Sequence, residues 1–365
     1  MQFKNIEINN FRGFDHLKIE DFGQINLFVG KNNAGKSSVL ESIFLLAGCT
    51  NAELGYRINL FRDAIVIDNN HSPEQGFKAI FHNLDENQYV IIKTVITEKT
   101  NYNSKSTGNL SRKVVERRLE IKPHYKTHFD NQELLTNNSG KRVVDGLIFS
   151  SKLDNGKNYE SKFVVESNGG EIQAESKYIL PVHFNHSRSS ENSSRLAIEE
   201  LFKKRKEQKV VEFLSKIDDR IRGFQFIGNK LYFDLEGIEE RVPISVVGDG
   251  IRKTLTILSS IWGGEKDTII LIDEIETGLH YTAHKTLWKG IIEACRMSNA
   301  QIFATTHSAE SIKYLAEILA EEGYQDFQEK VRCYRLSNSP KGFRASKFTY
   351  ETLQAIVEDE YEIRM

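Results

Sequence analysis

The sequence predicts an α/β protein whose core of buried strands and helices is interrupted by a β-rich lobe and a small helical segment. Three observations carry that expectation. The apolar run at residues 24–29 leads into the glycine-rich stretch 30–37 and then into a helix-like stretch, 38–47. Two later apolar runs, 268–272 and 300–305, each end abruptly in polar residues, as parallel strands buried on both faces do at the crevice end. From about 50 to 185, short β-like runs are separated by Asn, Ser and Gly clusters.

The chain opens on an alternating strand, residues 1–8, unlike the blocks of a secretory leader, and the expected setting is cytoplasmic. Gly30-Lys31-Asn32-Asn33-Ala34-Gly35-Lys36-Ser37 then fits the phosphate-binding pattern G-x-x-x-x-G-K-[ST], between the strand and the helix that this pattern needs. Glycines let the backbone curl until its N–H groups point at phosphates, and the helix N-terminus adds partial positive charge there. The expected nucleotide contacts are Asn33, Gly35, Lys36, Ser37 and Ser38. Lys36 would reach the β- and γ-phosphates and the Ser37 hydroxyl would coordinate Mg²⁺, so ATP and Mg²⁺ are the expected cofactors.

The lobe is expected at 49–185, an antiparallel meander built from runs at 77–82, 89–95, 118–121, 143–149 and 162–166, with turn clusters at 101–108 and 137–140. Residues 186–239 read as a charged helical stretch and a hairpin about Gly228-Asn229. The core is then expected at 1–48 and 240–365, where helix and strand alternate again.

The apolar run at 268–272 ends in Asp273 and Glu274. Asp273 would hold Mg²⁺ directly or through water, and Glu274 would polarise the attacking water as a general base. His307, at the end of the run from 300, lies where a side chain could touch the γ-phosphate.

GKNNAGKSS at 30–38, LIDEIETGLH at 271–280, ATTHS at 304–308 and the opening NNFRGF at 9–14 together resemble the ABC-type ATPase fold. The branch is that of the SMC, RecF and OLD (overcoming lysogenization defect) proteins, and the resemblance covers about residues 1–48 and 240–340. It implies an ABC-type P-loop NTPase core, and it gives Arg12 a place near the nucleotide. Glu276-Thr277-Gly278-Leu279-His280 is similar to the E-x-x-L-H of OLD-like ATPases in bacterial anti-phage systems, such as the AriA subunit of PARIS. The family's signature loop corresponds to the stretch around Ser245, Gly248, Asp249 and Gly250, which has Gly-Asp-Gly in place of Leu-Ser-Gly-Gly. Either Ser245 or Asp249 would replace the usual serine. That loop acts in trans in the family, which implies a homodimer or higher oligomer. The family's glutamine loop corresponds to 178–188, where Asn185, His186 and Arg188 are the stand-ins for the missing glutamine.

Composition narrows the partners. A formal net charge of -2 gives no global pull toward nucleic acid, so such a contact needs a local patch. Cys49, Cys295 and Cys333 form no C-x-x-C pair, which argues against a zinc or disulfide framework. No apolar run approaches the ~18 residues that span a bilayer, so no membrane contact is expected. Lys203-Lys204-Arg205-Lys206, with Lys209, is expected on a solvated helix face paired with Glu199, Glu200 and Glu207. A second basic patch, Arg112-Lys113 and Arg117-Arg118, stays open between contact and solvation. His124 and His128 have helical metal-ligand spacing, but Pro123 and the strand pattern argue against a helix. OLD proteins usually carry a fused Toprim nuclease, but the stretch after His307 has no Asp-x-Asp carboxylate set, so the resemblance implies a separate effector protein, such as a Toprim nuclease. The expected function is an ATPase subunit that senses or gates for that effector in anti-phage defence. The alternatives are a RecF-like DNA-binding ATPase and a nucleotide-locked scaffold for a toxin or nuclease.

Overall fold

The computed structural model describes residues 1–62, 74–99, 112–126, 143–153, 156–166, 169–173, 179–186, 191–340 and 342–358. The turn clusters expected at 101–108 and 137–140 lie outside the described residues, as do Arg188 and His128. Six strands form the core sheet, in the order Val182–Asn185, Ile269–Ile272, Gln301–Thr305, Ile25–Val29, Val331–Ser339 and Gly342–Phe348. All neighbours run parallel except the last pair. Every residue of the three strands Ile269–Ile272, Gln301–Thr305 and Ile25–Val29 is buried, the few polar ones (Asn26, Gln301, Thr305) included, as strands covered on both faces require.

Alternate side chains of these strands feed two cores. Ile25, Leu27, Ile270, Ile272 and Ile302 pack with the helices Asp249–Trp262, Tyr281–Ser298 and Ala309–Ala320. Phe28, Ile269, Leu271 and Phe303 face the helix Lys36–Ala47 and a second, antiparallel sheet. Lys36–Ala47 is thus enclosed between two sheets, and all its residues but Ser37 are buried. Its apolar residues are spread around the whole helix to match.

The antiparallel sheet runs Phe14–Glu20, Asn5–Phe11, Val90–Lys99, Arg112–Tyr125, Val144–Lys152, Asn158–Glu166 and Gly169–Gln173, with Gln2–Phe3 also paired to Val90–Lys99. The N-terminal hairpin and the inserted strands therefore share one sheet. Gln301, fully buried, stitches that sheet to the core: its Oε1 accepts from Phe3 N at 2.8 Å, and its Nε2 donates to Phe3 O at 2.9 Å.

Residues 77–82 are not a strand. The helix Glu74–Lys78 and a turn occupy the stretch, and Phe77, Ile80 and Phe81 are all buried. Their i, i+3, i+4 spacing is the helical period, which wins over a run too short to show alternation. The helices Glu191–Lys203 and Glu207–Leu214 and the hairpin Ile221–Ile227/Lys230–Leu235 match the expected charged stretch and turn. The basic run differs in part. Lys203 pairs with Glu200 at 2.7 Å, but Lys204 Nζ donates to Gly263 O at 2.6 Å and Lys206 Nζ to Trp262 O at 3.0 Å. These two lysines serve the C-terminus of helix Asp249–Trp262, whose last carbonyls attract cations. His124 pairs with Asp145 at 2.6 Å on the strand Arg112–Tyr125. Among the described residues no helix is long and apolar enough to cross a membrane.

Candidate functional site

The strand Ile269–Ile272 and its neighbour Gln301–Thr305 end side by side, because Ile272 pairs with Ala304. Asp273 follows the first and Thr305 closes the second. The Thr305 hydroxyl donates to Asp273 Oδ1 at 2.7 Å and accepts from the amide N–H of Glu274 at 2.7 Å. Ser37 Oγ, from the first turn of helix Lys36–Ala47, donates to the same Asp273 Oδ1 at 2.9 Å. Two residues that the sequence separates by most of its length thus meet as a pair of hard oxygen donors. That donor set fits Mg²⁺. His186 lies opposite, with Nε2 at 3.5 Å from Asp273 Oδ2, and its ring stacks on Phe61. Asn185, the other described stand-in for the glutamine, accepts from Ser260 Oγ at 3.3 Å through its side-chain oxygen.

The loop before the helix is shaped by two glycines. A Cβ at Gly35, which has φ +86°, would lie 2.4 Å from a ring carbon of Phe14, and one at Gly30 would lie 2.4 Å from the Leu336 carbonyl. Neither position admits a side chain. Asn33 adopts φ +63° at the exposed loop tip. No side chain caps helix Lys36–Ala47, so its leading N–H groups, those of Ser37 and Ser38 among them, lack intrahelical partners and point to where an anion would sit. Lys36 Nζ donates to Gly30 O and Lys31 O, each at 2.8 Å. Burial pushes its ammonium down to about 8, opposed by Glu276, Asp273 and Glu274.

Arg12, the residue that the resemblance places near the nucleotide, is bound to the phosphate-loop helix through Glu41. Its guanidinium donates to Glu41 Oε2 at 2.5 Å, Asn59 Oδ1 at 3.0 Å and Ala79 O at 3.2 Å. Arg62 takes the other oxygen of Glu41 at 2.6 Å and reaches Ser38 Oγ at 3.2 Å, so it touches the first turn of the phosphate-loop helix. Burial lowers the pKa of Arg12, and Glu41 offsets the cost. Glu41→Gln is expected to destabilise the fold by about 3 kcal/mol, since it strands a buried guanidinium. Urea unfolding followed by circular dichroism measures this, and an unchanged midpoint would show that Arg12 finds water or another acceptor.

Glu274 adopts φ +50°, a left-handed backbone rarely taken by residues other than glycine and common at functional sites. Three neighbours hold it there: Thr305 at its N–H, Lys253 Nζ at its carbonyl, and Thr277 Oγ1 at its carboxylate at 3.1 Å. Burial also pushes the Lys253 ammonium down to about 8. The amide of His307 donates to Glu276 Oε1, which brings the ends of both strands to one place. Thr305, Arg62, Lys253 and Glu276 had no assigned role in the sequence. Thr305 lies within ATTHS and Glu276 opens the E-x-x-L-H stretch, so motifs marked both positions without giving their contacts.

The signature stretch lies at the surface. Ser245 sits in the short turn Ile244–Val246, and Gly248 precedes helix Asp249–Trp262, which has no side-chain cap. Ser245, Gly248 and Asp249 are exposed, and Val246 is 70% exposed. Asp249 is paired with Arg252, so its charge is countered within the loop. A Cβ at Gly250 would lie 2.9 Å from Gly278 O, whereas Gly248 has open space around it. Among the described residues no hydrogen bond links this stretch to residues 30–37.

The AAA ATPase domain family matches residues 1–312. An ATP/GTP phosphatase of Helicobacter pylori is 26% identical over 384 residues, 98% of each chain. The DNA replication and repair protein RecF of Clostridioides difficile is 43% identical over 47 residues, only 13% of each chain. Two solved structures share the fold at low identity. One is an Smc head bound to the C-winged helix domain of ScpA, with a TM-score of 0.54 at 12% identity, covering 98% of this chain and 100% of that one. The other is an Smc head with an extended coiled coil bound to the C-terminal domain of ScpA derived from Pyrococcus furiosus, with a TM-score of 0.51 at 11% identity over 99% of each chain.

Proposed function

This chain belongs to the AAA ATPase domain family, and from that membership and the geometry of its site we propose that it binds ATP with Mg²⁺ and hydrolyses it at a site shared between two copies. The observation that carries the reading is the meeting of Ser37 and Asp273 beside the uncapped N-terminus of helix Lys36–Ala47. Asn33, Gly35, Lys36, Ser37 and Ser38 would take the phosphates, and Ser37 and Asp273 would hold Mg²⁺, which supplies neutralisation of phosphate charge. Glu274 is the proposed base that orients the attacking water, and His307 the proposed contact to the γ-phosphate. The full-length similarity to an ATP/GTP phosphatase supports hydrolysis over binding alone.

The partner copy would supply the stretch Ser245, Gly248, Asp249 and Gly250. Its exposure and uncapped helix suit a phosphate that another subunit presents. We infer further that the cycle of closing and opening gates a separately encoded effector, such as a Toprim nuclease, as in the OLD-like anti-phage ATPases that the sequence resembles. A DNA-binding, RecF-like role has less support. On the outer face of the antiparallel sheet Lys93 pairs with Glu7, and both Arg118 and Lys122 with Glu120, so those cations already have partners.

Gly248→Trp tests the shared site, because it adds bulk where this chain has space. It should leave ATP binding intact and stop hydrolysis. Mixed one to one with Lys36→Ala protein, it should recover roughly a quarter of wild-type activity, since half the dimers are hybrid and each hybrid has one complete site. No recovery, with subunit exchange confirmed by a size-tagged copy, would favour a site completed within one chain.

A further inference from the structure

Glu276 lies among elements that the proposed reaction keeps apart. Its Oε1 accepts the amide N–H of His307, while its Oε2 is buried with no hydrogen-bond partner. A carboxylate oxygen removed from water and left without a donor is unfavourable, so a nearby cation must answer it. Three basic side chains, each from a different helix, feel its charge. They are Lys36 of the phosphate-loop helix, Lys253 of the signature helix and His284 of helix Tyr281–Ser298. Helix Asp249–Trp262 packs on the turn that holds Glu276, a Cβ at Gly250 lying 2.9 Å from Gly278 O. Of the carboxylates that sustain the charge of Lys36, Glu276 is the strongest, ahead of Asp273 and Glu274. The same holds for Lys253.

Neither lysine is bound to Glu276 in this state. Lys36 Nζ is held by the carbonyls of Gly30 and Lys31, and Lys253 Nζ by the carbonyl of Glu274. We propose that Glu276 is a positioning residue shared by Lys36 and Lys253, through which nucleotide in the phosphate loop sets the signature helix and Glu274. Once Lys36 turns to the phosphates, its charge is spent on them and Glu276 is left with Lys253 as its main counter-charge. Lys253 is drawn toward Oε2 and carries two things with it: the first turn of helix Asp249–Trp262 and the backbone of Glu274. Filling the phosphate loop thereby aligns both the water-orienting carboxylate and the loop offered to the neighbour. This inference rests on the reading that Lys36 binds ATP.

The test uses the full chain with Glu276→Gln, Lys253→Met, the double variant and Lys253→Arg. Affinity for a labelled non-hydrolysable ATP analogue and the single-turnover rate are measured for each. Each single variant should keep its affinity within about threefold and slow the single turnover by about tenfold or more, the split expected when a residue acts only on the reacting state. The double variant should be no slower than the slower single one, because the two residues act as a unit. Lys253→Arg keeps the charge and should restore most of the rate. Wild-type turnover in Glu276→Gln would overturn the proposal. So would additive losses in the double variant, or an affinity loss as large as the rate loss, which would make Glu276 a wall of the pocket. If the wild type failed to bind the analogue, the ATP reading itself would fall, and the Glu276 inference with it.

Discussion

Lys36→Ala should abolish tight ATP binding in a protein that still folds. The ammonium of Lys36 is held on two carbonyls of the loop that precedes its helix, each at 2.8 Å, and burial has stripped it of most of its water. It is therefore a preformed partner for phosphate oxygens. Losing two charge-assisted hydrogen bonds should lower affinity on the order of 10²-fold or more. Apart from these two loop carbonyls the side chain has no hydrogen-bond partner among the described residues, so the fold should persist. Equilibrium binding of a labelled ATP analogue, beside a circular dichroism spectrum, is the measurement. A folded Lys36→Ala protein with wild-type affinity would remove the basis for reading residues 30–37 as a nucleotide site.

Glu274→Gln should leave ATP bound and slow its hydrolysis by roughly 10²-fold or more, the loss expected for a positioned base. The change is nearly isosteric, and the backbone of Glu274 is fixed independently by Thr305 and Lys253, so the amide should occupy the place of the carboxylate. The ATP-filled assembly should then accumulate, visible as a larger species by light scattering in the presence of ATP and Mg²⁺. Single-turnover hydrolysis at the wild-type rate would pass the role of base to His307.

The parts of the site that could be read from the sequence are those announced by short motifs at strand ends. Ser37 and Asp273 are readable because each closes a local pattern, and the sheet order then brings them to 2.9 Å. Thr305 joins Asp273 and Glu274 equally closely, yet the ATTHS stretch that holds it does not say which strand end its hydroxyl will meet. The contacts of Lys253 and of Glu276, although the latter opens a motif, are hidden for another reason. Their contacts depend on how the helix Asp249–Trp262 leans on the turn at Gly278, a matter of tertiary packing. Arg12 carries a motif, but the motif does not encode Glu41, Asn59 and Ala79, which take its guanidinium. In the lobe, the runs from 89 onward fell into strands because they alternate, while Phe77, Ile80 and Phe81 answer to a helical period within a few residues. That Gln2–Phe3 would pair with Val90–Lys99 is a long-range choice no local window holds.

The central place of Ile25–Val29 in the core sheet sets an order of assembly during synthesis. This strand leaves the ribosome early, but its ladder partners are Gln301–Thr305 and Val331–Ser339. Asn26, buried in its middle, donates to the carbonyl of Ile302, a residue 276 positions later. At cellular elongation rates that gap lasts on the order of tens of seconds. Through that interval a largely apolar strand has no pairing edge to occupy, while the N-terminal hairpin and the lobe strands can already zip together. The nascent chain is then a half-built sheet carrying an exposed sticky segment, the kind of species that holdase chaperones bind and that aggregates when they are scarce. The candidate nucleotide site, whose loop follows that same strand, can close only after residues 273 and 305 have been made.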